Sequence, residues 1–105
     1  MRMRTPIHPG EILGEELQEL SLSATELARL LDVPPNRITQ IIAGKRAITA
    51  DTALRLARYF RMTAEFWMNL QKIYELDLAR KEQGSSIARL PRRSVKDLPQ
   101  IPTHV

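Results

Sequence analysis

No cysteine occurs anywhere in the 105 residues, and that absence removes disulfides, thiolate zinc sites and cysteine nucleophiles together. The two histidines, His8 and His104, stand too far apart in sequence to form a metal-ligand set. No apolar run approaches the ~20 residues that span a bilayer. Arg2, Arg4 and Pro6 occupy the place where a signal peptide would carry its apolar segment. A glycine-rich phosphate loop is missing too, as is any serine–histidine pairing that a fold would bring together. No catalytic residue, metal or cofactor is expected, therefore, and no membrane partner. A reducing cytoplasm is the expected compartment.

What the chain does have is an uneven surplus of positive charge. The formal net charge is +4, but Met1 to Ser23 carries four glutamates against two arginines, whereas Ala24 to Arg61 carries seven basic residues against three acidic ones. A basic middle suits an anionic partner. The length fits one domain, which at this size buries only roughly 60–65% of its unfolded surface, so association with a partner would help it.

Apolar residues recur at helical spacing over the first 82 residues, and the few strand-like stretches are short and rich in proline, which predicts an all-α fold of five helices. The first follows Pro9 and reaches about Leu20, with Leu13, Leu17 and Leu20 on one stripe and Glu11 early, where the helix dipole favours a negative charge. Ser23 and Glu26 have the spacing of a capping box and start a second helix over Ala24 to Leu31. Asp32-Val33-Pro34-Pro35 breaks it, and Pro35 suits the first turn of a third helix that ends near Ala43. Gly44 is a stop signal because it tolerates positive φ. Thr49 is expected to cap a fourth helix ending near Phe60, and Thr63 a fifth ending near Glu82. Residues 1–83 then form the domain and residues 84–105 a basic, proline-containing tail.

The informative unit is Ala24 to Ala43, where a short helix, a tight break and a second short helix fit a helix-turn-helix. Leu27, Leu31, Val33, Ile38 and Ile41 would brace the two helices at a steep angle, with Ala28 small enough for close approach. The polar edge of the third helix then offers Pro35, Asn36, Thr39 and Gln40 to the base edges of a duplex. An Asn or Gln amide bonds bidentately to adenine, and a Thr methyl can meet a thymine methyl. Arg37, at the edge of that face, could reach a guanine or a phosphate. Lys45, Arg46 and Thr49 are placed to hold phosphates, which positions the protein without reading sequence.

On the fifth helix, Phe66, Trp67, Leu70 and Tyr74 lie on more than one stripe. They are either the core of a monomer or the interface of a dimer, and a dimer would read two half-sites about 34–36 Å apart. The acidic face formed by Glu15, Glu16 and Glu19 reads first as solvated surface and second as a place for a basic partner. The Arg92-Arg93 tail has three readings: disorder, folding onto a partner protein, or nonspecific attraction to DNA.

Glu26-Leu27-Ala28-Arg29-Leu30-Leu31-Asp32-Val33, followed by Ile38-Thr39-Gln40-Ile41-Ile42-Ala43-Gly44-Lys45-Arg46, resembles the phage-repressor-like helix-turn-helix class. The signatures His8-Pro9-Gly10-Glu11, Ala47-Ile48-Thr49, Ala53-Leu54-Arg55-Leu56-Ala57 and Glu65-Phe66-Trp67-Met68-Asn69-Leu70-Gln71 narrow the resemblance to the HigA/VapI antitoxin family. It covers roughly Ile7 to Ala79 and departs from the family pattern at Asp32, where glycine is usual, and at Pro34, where Ser or Thr caps the helix. The resemblance implies a lambda-repressor-like domain that acts as a homodimer on a palindromic operator of double-stranded DNA. It also implies repression of the protein's own operon and neutralisation of a HigB-like ribonuclease toxin. A stand-alone regulator without a toxin, and a protein-interaction module with a vestigial motif, are the competing readings.

Overall fold

The computed structural model describes residues 4–94, so Arg2, Lys96, Asp97 and His104 lie outside the described residues. Five helices appear in chain order: α1 (Pro9–Leu20), α2 (Ala24–Leu31), α3 (Pro35–Ile42), α4 (Ala50–Phe60) and α5 (Ala64–Ala88). No strand occurs among the described residues, and no helix there is long and apolar enough to cross a membrane.

Local chemistry sets most of the boundaries. At the start of α2 the Ser23 hydroxyl accepts from Glu26 N at 3.0 Å while the Glu26 carboxylate accepts from Ser23 N at 3.3 Å, the reciprocal bonds of a capping box. The same box starts α1 with a different residue. The His8 Nδ1 accepts from Gly10 N at 2.9 Å and the Glu11 carboxylate accepts from His8 N at 3.2 Å. Thr63 caps α5 by accepting from Phe66 N at 3.1 Å. Thr49 precedes α4 but makes no side-chain cap, and its hydroxyl lies instead 3.4 Å from that of Thr52.

Left-handed residues close three helices. Ser21 (φ 52°), Asp32 (φ 58°) and Arg61 (φ 57°) each follow a last helical turn, and Gly44 (φ 76°) follows α3. Asp32 thus adopts the conformation for which glycine is the easier choice, helped by a short polar side chain. Its N–H donates to Arg29 O and the next N–H, of Val33, donates to Ala28 O at 3.0 Å, so the last carbonyls of α2 are used inside the turn.

The expectation for α5 falls short by about two turns. It runs on through Gly84-Ser85-Ser86 to Ala88, and the boundary expected at Gln83 lies inside a helix. Glycine and serine lower helix propensity by at most ~1 kcal/mol each, and neither stops a helix already in progress. The first residue that cannot continue is Pro91, which drives Leu90 out of helical geometry.

The core joins Leu13 and Leu17 of α1, Leu27, Ala28 and Leu31 of α2, Ile38 and Ile41 of α3, Ile48, Ala53 and Leu56 around α4, and Trp67 of α5. Leu20, expected on the α1 stripe, is instead half-exposed at the helix end. α2 packs on α3, α4 on α5, and α1 bridges α3 and α5. The α1–α3 contact is close enough that a Cβ at Gly10 would overlap the main-chain carbonyl of Ile41. A backbone atom cannot swing aside as a side chain can, so α1 or α3 would have to shift. Gly10→Ala is therefore expected to destabilise the protein by about 1–3 kcal/mol, the usual cost of overpacking, read as a lowered urea midpoint. Gly14→Ala, whose added methyl meets only a methyl of Ile42 at ordinary distance, should instead raise that midpoint, because alanine is favoured over glycine inside a helix by about 0.5–1 kcal/mol.

Candidate nucleic-acid interface

α3 is eight residues long and buries Ile38 and Ile41 against α1 and α2. Those two positions lie three apart on one side, which leaves Pro35, Asn36, Thr39 and Gln40 on the other. Pro35, Asn36 and Thr39 are exposed and Gln40 is half-buried. Asn36 and Gln40, four residues apart, share a face. The four residues expected to read bases are thus brought together on one outward edge.

The start of α3 has no side-chain cap, because Pro34 has nothing to offer and Pro35 lacks an N–H. The amide of Arg37, in the third position of the helix, donates to Pro34 O at 3.0 Å. The turn is secured from outside the motif. Arg55 of α4 reaches back so that Nη1 donates to Leu31 O at 2.7 Å and to Asp32 O at 3.3 Å. Arg55 Nε also donates to Asp51 Oδ2 at 3.0 Å, and the same oxygen accepts from Arg37 Nη1 at 2.6 Å. Arg55 first, and then Arg37, hold the Asp51 carboxyl below its ordinary pKa. Arg37 is consequently paired with a carboxylate in the free protein and does not stand as an open cation.

Lys45 and Arg46 follow α3 in an exposed loop. Gly44 N donates to Ile41 O at 3.0 Å and Lys45 N to Gln40 O at 2.9 Å, two bonds that wrap the chain tightly round the helix end. Ile48, 1% exposed, anchors the far side of the loop, and its N–H donates to Gln71 Oε1 at 2.9 Å. Gln71 is buried on α5 and passes its own Nε2–H to Glu75 at 2.8 Å. Thr49, an exposed residue whose hydroxyl lies against that of Thr52, ends the loop. The basic loop is therefore held at both ends, one end by α3 and the other by α5.

Of the four α5 aromatic and apolar residues, Trp67 does not belong to any interface. It is 0% exposed, with its ring 6.0 Å from that of Phe60 and 5.2 Å from that of Phe66. Its side of α5 faces α4, so it fills the core. Tyr74 is half-buried with its ring edge against His8 at 4.9 Å. Phe66, 39% exposed, and the partly buried Leu70 remain on an outward stripe that continues to the exposed Ile73.

Sequence reasoning missed His8, Asp51, Arg55 and Gln71. His8 stands three residues before Glu11, the spacing of a capping box, but an imidazole is an uncommon cap. Asp51 and Arg55 have the i, i+4 spacing of a helical ion pair. Nothing local, however, signals that Arg55 also spans 24 residues of sequence to the turn at Leu31.

The helix-turn-helix family model matches residues 13–67. Virulence-associated protein I of Dichelobacter nodosus is 52% identical over 80 residues, which are 75% of this chain and 74% of that protein. Among solved structures, an addiction module antidote protein of the HigA family from Coxiella burnetii superposes with a TM-score of 0.84 at 51% identity, covering 87% of this chain and 100% of that one. The Pseudomonas aeruginosa antitoxin HigA, solved with the higBA promoter, superposes with a TM-score of 0.80 at 45% identity, covering 83% of this chain and 97% of that one.

His8 supplies a pH dependence that can be measured. Burial holds the imidazole below the ordinary histidine value of 6.5, against the pull of Glu11 and a hydrogen bond to the Arg46 backbone, both of which favour the cation. The cap requires an unprotonated Nδ1. Above pH 6.5 both the folded and the unfolded chain carry neutral His8 and its contribution to stability is complete. As pH falls below 6.5 the unfolded chain takes up the proton first, and stability is lost until the folded-state value is passed. The urea midpoint should drop as pH falls through about 6.5. In His8→Asn, which keeps an acceptor at the cap but cannot titrate, that part of the drop should vanish.

Proposed function

Since the chain belongs to the helix-turn-helix family, whose members are DNA-binding regulators and antitoxins and not enzymes, we propose that it is a sequence-specific DNA-binding antitoxin that represses its own operon and neutralises a HigB-like ribonuclease toxin. The observation that carries the DNA-binding part is the outward edge of α3, where Asn36, Thr39 and Gln40 stand clear of a braced core beside the Lys45-Arg46 loop. Pro35, Asn36, Thr39 and Gln40 read base edges in the major groove, with the amides of Asn36 and Gln40 suited to adenine. Lys45, Arg46 and the Thr49 hydroxyl hold phosphates on the flanking backbone. Arg37 stands at the edge of the reading face, paired there with Asp51. The promoter complex of the similar Pseudomonas antitoxin supports this assignment.

Homodimerisation follows from the demands of the operator. Eight residues of helix contact too few bases to single out one site, and a two-fold dimer doubles the count while fixing the half-site spacing. The outward stripe of Phe66, Leu70 and Ile73 is the surface for it, with Tyr74 at its margin. Residues 84–105 begin within α5 and continue as a basic tail beyond the domain. The toxin partner and the cytoplasmic setting belong to the same reading.

Titrating the protein into its own upstream DNA, with a scrambled duplex of equal composition at the same salt, tests the central part. Tight binding to the first and weak binding to the second is expected, and equal affinity would remove the sequence-specific claim. Gln40→Ala should cost about 1–3 kcal/mol on the upstream duplex alone, whereas Lys45→Ala should weaken both duplexes and lower the salt slope by about one. Ile73→Glu should shift the sedimenting species from dimer to monomer, and an unchanged dimer would move the interface elsewhere. Co-expression with the neighbouring small reading frame separates the two roles. Failure to relieve its toxicity, with operator binding intact, would leave a stand-alone regulator.

A further inference from the structure

α3 contains one charged residue, Arg37, and the fold does not leave it free. Asp51, exposed in the first turn of α4, offers a single oxygen, Oδ2, that accepts from Arg37 Nη1 at 2.6 Å and from Arg55 Nε at 3.0 Å. Arg55 is itself committed, because its Nη1 serves the two carbonyls at the turn before α3. The carboxylate is thereby fixed by an arginine that cannot leave without exposing the turn, and it holds the one arginine of α3. An ion pair this exposed contributes little to stability. Its consequence is the placement of charge: a guanidinium turned toward Asp51 is not turned toward a phosphate.

We propose that Asp51 is a specificity-determining residue that acts through Arg37, withholding it from indiscriminate phosphate contact and so keeping affinity for non-cognate DNA low. The inference rests on the reading of α3 as the DNA-contacting helix. Nonspecific binding is almost entirely a matter of phosphates neutralised, so an arginine masked by a neighbouring carboxylate subtracts from it. Base contacts by Asn36, Thr39 and Gln40 carry no charge and are untouched by the mask. When those base contacts fix the register of α3, Arg37 stays with Asp51, whereas a duplex bound without them can shift until a phosphate meets a freed Arg37. Removing the mask therefore strengthens non-cognate binding more than cognate binding, and the mask raises discrimination with no base contact added.

The test is a cycle of wild type, Asp51→Asn, Arg37→Gln and the double variant, titrated by fluorescence anisotropy against the upstream duplex and a scrambled duplex over a range of salt. Circular dichroism confirms that each is folded, and Asp51→Ser, a good residue for a first helical turn, replaces Asp51→Asn if the latter is not. With one more phosphate neutralised, Asp51→Asn should bind scrambled DNA more tightly. Its affinity should also fall about 3.5-fold more than wild type's between about 50 and 200 mM salt. The ratio of upstream to scrambled affinity should drop. In the Arg37→Gln background the same substitution should change nothing. An equal tightening with and without Arg37 would reduce the effect to a lost negative charge and overturn the proposal, as would scrambled binding that is unchanged or weaker in Asp51→Asn. Wild type that fails to separate the two duplexes would instead remove the reading of α3 itself, and the proposal with it.

Discussion

Two eight-residue helices cannot hold themselves in water. Below about 12–15 residues the cost of nucleation outweighs the few hydrogen bonds gained, so α2 and α3 exist as helices only because Leu27, Ala28, Leu31, Ile38 and Ile41 are buried between them and α1. That constraint governs everything else. α3 has no stiffness of its own and no side-chain cap, so its direction is set by whatever touches it. Three contacts do this: the close approach of Gly10 to Ile41, the apolar packing against α2, and the Arg55 guanidinium on the turn carbonyls. Each comes from an element outside α3.

The loop after α3 obeys the same logic. A connecting segment that carries two cations would wander if left to solvent, and wandering cations contribute affinity without register. Here the wrap of Gly44 and Lys45 onto the helix end, the buried Ile48 and the bond from Ile48 N to Gln71 fix both ends. His8 lies beside this loop, its ring 3.9 Å from where a Cβ on Gly44 would stand, while capping α1. The same imidazole meets Tyr74 on the fifth helix. A neutral, half-polar ring suits that place, because a lysine there would bury a charge and a leucine would leave Gly10 N without an acceptor.

Much of this was legible from residue order. Helix starts were readable where the chemistry is local, at Ser23 with Glu26 and at Thr63, while the stop at Asp32 followed from the prolines behind it and that at Gly44 from its tolerance of positive φ. The five helices and the outward edge of α3 were legible for the same reason, since periodicity of apolar residues is a local signal. What escaped were features decided at a distance. Trp67 fills the core because α4 lies over it, which no spacing within α5 reveals. Gly84-Ser85-Ser86 looked like a linker by composition, yet a helix already formed to Glu82 needs a stronger signal to end. The ties of Arg55 to Leu31 and of Gln71 to Ile48 span 24 and 23 residues of sequence and leave no trace in any short window.

The fifth helix joins these arguments. One side of it, through Trp67 and Gln71, fixes the core and the basic loop, while the stripe of Phe66, Leu70 and Ile73 is turned outward. Residues three and four apart on a helix move as one body, so a partner seated on the outward stripe bears on Gln71 without touching it. Interiors packed to crystal density transmit such displacements instead of absorbing them. In the proposed dimer the spacing between two copies of α3 and the placement of the Lys45-Arg46 loop are therefore not independent quantities, because both are referred to the axis of the same helix.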